Sequence, residues 1–99
     1  MKEKIQIKLV RKTADIKILK GEGLVDQVLP PHSADNEAQL IMVVGKVLFT
    51  LAEQSYVLQA GDLQVIPANK VHSLQVQSTC QFYLVLTATT KMSFSKPMI

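Results

Sequence analysis

No stretch of this chain sustains a helical period, and that constrains its fold more than any other feature. Apolar and polar residues alternate instead in short runs: Ile5–Val10, Ala14–Leu19, Val25–Leu29, Gln39–Val44, Lys46–Leu51, Ser55–Leu58, Leu63–Ile66, His72–Gln77 and Gln81–Thr87. Turn residues cluster between them, at Gly21 and Gly23, at Pro30 and Pro31, and from Ala52 to Gln54. Others fall from Ala60 to Asp62, from Pro67 to Asn69 and from Gln77 to Thr79. Period two places successive side chains on opposite faces, so each run reads as a strand with one buried side. Short strands at this spacing imply an all-β chain, an antiparallel sandwich or barrel. Only Asp35 to Gln39 would hold a helical turn.

The size of the chain allows one such domain. Of its 99 residues, 47% are hydrophobic and 19% charged, enough for a single core in a soluble protein. The expected division is N-terminal strands over 1–20, a barrel core over 21–87 and an apolar tail over 88–99. The single cysteine, Cys80, rules out an internal disulfide framework and fits a reducing compartment. No apolar run reaches the length of a bilayer crossing, and the first residues alternate, unlike a signal peptide. The expected location is cytoplasmic.

Charge is unevenly spread. Lys2, Lys4, Lys8, Arg11, Lys12, Lys17 and Lys20 precede Gly21, against Glu3 and Asp15 only. A basic arm would suit a nucleic acid or an anionic membrane. The lysines, however, alternate with Ile5, Ile7, Leu9, Ile16 and Ile18, as the wet face of edge strands would. One arginine and no interleaved aromatic leave little for base stacking or bidentate contacts. Nucleic acid and membrane are disfavoured as partners.

The segment from Gly61 to His72 carries the chemistry. Gly61 opens a strand, and Pro67 and Asn69 end it in a corner, Asn being the residue besides Gly that best accepts positive φ. His72 then opens another strand in phase with Leu74 and Val76, which aims its imidazole at the core. The doubly apolar run Leu40–Val44 adds a second constraint. If its even residues point inward, Ile41 and Val43 face out and need a cover, from the N-terminal strands, a second subunit or both. The tail, with Met92, Phe94, Met98 and Ile99, is also expected to pack.

Gly61, Pro67 and His72 resemble the second signature motif of the cupin superfamily (G, five residues, P, one residue, G, two residues, H, three residues, N). Asn69 stands at its second Gly and Val76 at its Asn. His32 and Gly45 resemble the ends of the first motif, H-x-H, three or four residues, E, six residues, G. Ala34 occupies its second His and Ala38 its Glu. The chain, over roughly Gly21 to Leu86, is similar to short bacterial single-domain cupins with a degenerate metal site. The resemblance implies a jelly roll, a homodimer, and His32 and His72 at metal-ligand positions.

Two imidazoles hold a divalent ion poorly, and Asp35 and Glu37, the candidates for a substitute carboxylate, only flank the missing position, with Glu37 expected to face the opposite way in a strand. No cofactor is therefore expected. The preferred reading is a cavity that binds a small molecule, in a sensor or accessory protein, with His32, Met42, Phe49, His72 and Tyr83 as its ligand-binding residues. Leu40, Leu74 and one face of the Phe82–Leu84 strand complete its walls, and Ala34 and Ala38 leave it room. The alternatives are an isomerase- or dioxygenase-like enzyme holding a metal on His32 and His72, and a barrel filled by its own side chains. No catalytic residue is assigned, since Cys80 falls in a loop with no partner in view.

Overall fold

The computed structural model describes residues 4–94. Among them eight strands follow in chain order: β1 (Gln6–Lys12), β2 (Ile16–Gly23), β3 (Val28–Ala34), β4 (Ala38–Leu51), β5 (Gln54–Gln59), β6 (Leu63–Ile66), β7 (His72–Thr87) and β8 (Met92–Phe94). Every ladder between them is antiparallel. The two long strands, β4 and β7, each divide between two sheets. The second half of β7 pairs with β2 and with the first half of β4, which gives the order β1–β2–β7–β4–β6. The first half of β7 pairs with β3 and with the second half of β4, which gives β8–β3–β7–β4–β5. Two sheets joined through shared, bent strands make the jelly roll that the alternating runs imply.

The bends explain where the strands differ from the alternating runs. β4 runs unbroken through Gly45, where the alternation suggests two strands. Its register with β7 shifts repeatedly between Met42 and Val47, the mark of a bulge. Gly45 has φ 81, and a Cβ there would lie 2.1 Å from the Thr79 carbonyl oxygen, so only glycine fits. The bulge also inverts the parity, with Leu40 and Met42 inward before it and Val47 and Phe49 inward after it. β7 likewise continues through Gln77 to Thr79, and Cys80 lies buried in that strand, not in a loop.

Gly21 and Gly23 are not a turn either. They are inward-facing positions of β2, in phase with Leu19, and their missing side chains make room for neighbours. The Phe82 ring lies over Gly21, and Val76 over Gly23. Pro30 and Pro31 sit inside β3 at a break in its ladder with β7, between Leu29 and His32, as prolines in sheets must. The Pro67–Asn69 corner forms as expected: Asn69 has φ 64 and its N–H donates to the Ala34 carbonyl at 2.7 Å.

Phe49, Phe82, Leu40, Met42, Val47, Val76 and Cys80 are the largest wholly enclosed side chains and form the centre of the barrel. Ile41 and Val43 face outward, 37% and 44% exposed, and Leu63 and Val65 of β6 lie beside them on the same face. β1 and β2 extend this sheet past β7 and do not cross over it, so they are not the cover that this face needs. Met92, Ser93 and Phe94 pair with β3, while Met98 and Ile99 lie outside the described residues.

Candidate functional site

His32 of β3 and His72 of β7 are register partners, so their side chains leave the sheet on the same face. The rings meet edge to face, with centroids 4.1 Å apart and planes at 62°. Phe49 of β4 stands beside His72, its centroid 6.0 Å away. Both imidazoles are buried, 3% and 6% exposed.

Backbone carbonyls orient both rings. His32 Nδ1 lies 2.7 Å from the Pro30 oxygen, and His72 Nδ1 2.9 Å from the Lys70 oxygen. In each case the acceptor is two residues back. For His32 the interrupted ladder at Pro30 turns that carbonyl toward the ring. A carbonyl only accepts, so both Nδ1 atoms donate, and in the neutral ring Nε2 then carries the lone pair. Burial lowers the pKa of both imidazoles below the ordinary value, more than these carbonyls raise it. Charge on His32 lowers His72 further. The pair is built to be neutral.

The rest of the wall is apolar. Leu29 and Ala34 come from β3, Ala38, Leu40 and Phe49 from β4, Ile66 from β6, and Leu74, Leu84 and Leu86 from β7. Met92 of β8 closes the ring. Their enclosed space is about 20 Å³, room for about one water. Ala34 and Ala38 therefore do not leave the barrel open. Met92 is the register partner of Ala34 and Ile66 that of Ala38, and these two side chains take up the space. Met92 is also the one wall residue with substantial exposure, 40%, against 8% or less for the others.

Of the sequence candidates, His32, Phe49 and His72 come together here. Met42 is buried one layer away, opposite Phe82, and does not line the cavity. Tyr83 is on the outward parity of β7, opposite Lys20 and Ile41. The wall residues that sequence reasoning missed are Leu29, Ile66, Leu86 and Met92. Leu86 was signalled by the parity of its strand. The two that fill the cavity depend on pairings between distant strands and carried no local signal.

The family's ion does not fit this donor set. Among the described residues no three His, Cys, Asp or Glu side chains converge. Asp35 is exposed and its Oδ1 accepts from the Lys91 N–H and from the Asn36 amide, while Glu37 is also exposed. Neither reaches in to replace the missing carboxylate. Cys80 lies outside this wall, a buried thiol whose pKa is pushed up by burial.

The AraC-like ligand-binding domain family matches residues 20–90, which contain the two histidines and nearly all of this wall. The chain belongs to that family. Its fold is that of the cupins: a cupin superfamily protein from Desulfitobacterium hafniense superposes with a TM-score of 0.79 at 11% identity, over 88% of this chain and 80% of the other. An uncharacterized protein with a double-stranded β-helix domain from Klebsiella pneumoniae gives a TM-score of 0.85 at 14% identity, over 95% and 86%. The polyketide cyclase RemF from Streptomyces resistomycificus gives 0.78 at 16% identity, over 87% of this chain and 64% of that one. At such identities these structures share the fold alone. A search of curated proteins gave no match.

Proposed function

We propose that this AraC-like cupin domain binds a small organic molecule in the His32–His72 cavity and serves as a sensor or accessory protein, without a resident metal ion and without chemistry of its own. The observation that carries this reading is the neutral imidazole pair, oriented by backbone carbonyls inside an otherwise apolar wall. A few polar atoms at fixed places in an apolar cavity are what a small-molecule site needs.

The domain works as a homodimer in this reading. The apolar outer face around Ile41, Val43, Leu63 and Val65 is the surface a second copy would cover. The reduced, buried Cys80 suits a cytoplasmic setting.

The test is to purify the untagged protein gently and compare native with denaturing mass spectra. A small molecule released on denaturation, and lost in His72→Leu, supports the proposal. Stoichiometric iron, manganese, nickel or zinc retained by the wild type would replace it with the metal-enzyme reading.

A further inference from the structure

The hydrogen-bonding polarity of the cavity narrows the class of ligand, on the premise that the cavity is a ligand site. The Pro30 and Lys70 carbonyls use the Nδ1 proton of each ring, so neutral His72 presents Nε2 as an acceptor. The other wall residues are Ala, Leu, Ile, Phe and Met, and none donates a side-chain hydrogen bond. No lysine or arginine is among them. A carboxylate there would be buried with neither a cation nor a fixed donor, a costly state. A hydroxyl donating to Nε2 would be matched, and an apolar body would suit the remaining wall.

Size adds the second constraint. About 20 Å³ is far below the roughly 150 Å³ that holds a benzene ring. Met92 is the exposed wall residue, its register partner is only Ala34, and β8 is paired to β3 over three residues. An unbranched thioether chain rearranges more easily than the leucines around it.

We propose that the cavity takes an uncharged molecule with an apolar body and a hydroxyl donor, a phenol or an alcohol, in preference to a carboxylate, and that this ligand enters by displacing Met92. His72 Nε2 receives the hydroxyl proton in a hydrogen bond.

Phenol, benzoate and toluene, titrated by calorimetry and followed at the Met92 methyl resonance, test this. At neutral pH phenol should bind more tightly than toluene by up to roughly tenfold, the worth of one hydrogen bond, and should exceed benzoate by more, since the carboxylate would be buried unpaired. Met92→Ala should bind phenol more tightly than the wild type, Met92→Phe more weakly, and His72→Leu should erase the preference for phenol over toluene. Benzoate binding as well as phenol, or toluene equal to phenol, would overturn the ligand class while leaving a working ligand site. Phenol affinity indifferent to both Met92 substitutions would overturn the entry route. No binding of any probe to wild type or Met92→Ala would overturn this inference together with the binding function on which it rests.

Discussion

Gly21→Ala is a one-methyl change whose outcome depends on the packing described above. In a strand, alanine is ordinarily the better residue, by roughly 0.5–1 kcal/mol, because glycine loses more backbone freedom on folding. Here the added Cβ would lie 2.2, 2.4 and 2.7 Å from the Cζ, Cε1 and Cε2 atoms of Phe82. That ring is fully buried between Met42 and Gly21 on the paired strands and has nowhere to retreat in a close-packed core. Forced overpacking of this kind costs about 1–3 kcal/mol. In a domain of this size, a loss of about 2 kcal/mol would be a fall of roughly 8–16 °C in Tm. Urea unfolding of Gly21→Ala, Phe82→Leu and the double variant gives the cycle. The double variant should be more stable than the sum of the single losses requires, since the smaller leucine side chain frees the place that the added methyl group needs. A Gly21→Ala protein as stable as the wild type, or strictly additive losses, would refute the placement of β2 against β7.

Stability should also fall in mild acid. Both histidines have lowered folded pKa values, so below about 6.5 the unfolded chain takes up protons first. Unfolding free energy should drop by up to about 1.4 kcal/mol per pH unit for each ring until the folded rings charge, and a flat profile in urea titrations between neutral and mildly acid pH would contradict this. Ala34→His with Ala38→Glu restores the ligand types of the cupin motif, but Met92 and Ile66 fill that space. Calorimetry should therefore show tight divalent-metal binding when Met92→Ala and Ile66→Ala are both added and little without them. Ile41→Lys, on the exposed apolar face, should halve the sedimenting mass, and a wild type that already sediments as a monomer would end the dimer proposal.

The strands and the two histidines were legible for different reasons. Leu63–Ile66 and the ends of β7 at His72 and Thr87 follow from local alternation and from the turns that Gly61 and Asn69 make with positive φ. His32 and His72 stood out through their resemblance to the cupin motifs, and the register of β3 with β7 brings them together. Continuity through Gly45 was hidden, because a bulge breaks the alternation without ending the strand. Gly21 and Gly23 read as punctuation in the sequence, because a glycine that makes room for Phe82 looks locally like one that makes a turn. The filling of the cavity was out of reach for a similar reason. Met92 and Ile66 reach Ala34 and Ala38 only through pairings of strands far apart in the chain.

Two neutral imidazoles, each donating from Nδ1 to a backbone carbonyl, face one apolar cavity. Long-range proton–nitrogen spectra of the two ring systems across pH, with His32→Asn and His72→Asn for assignment, test this directly. Both rings should be neutral at pH 7 with the proton on Nδ1. Each should titrate below the ordinary histidine range, and His72 should titrate higher when His32 is removed. A ring that is charged at pH 7, a proton on Nε2 in the neutral form, or two independent titrations at the free-histidine value would rule out this arrangement.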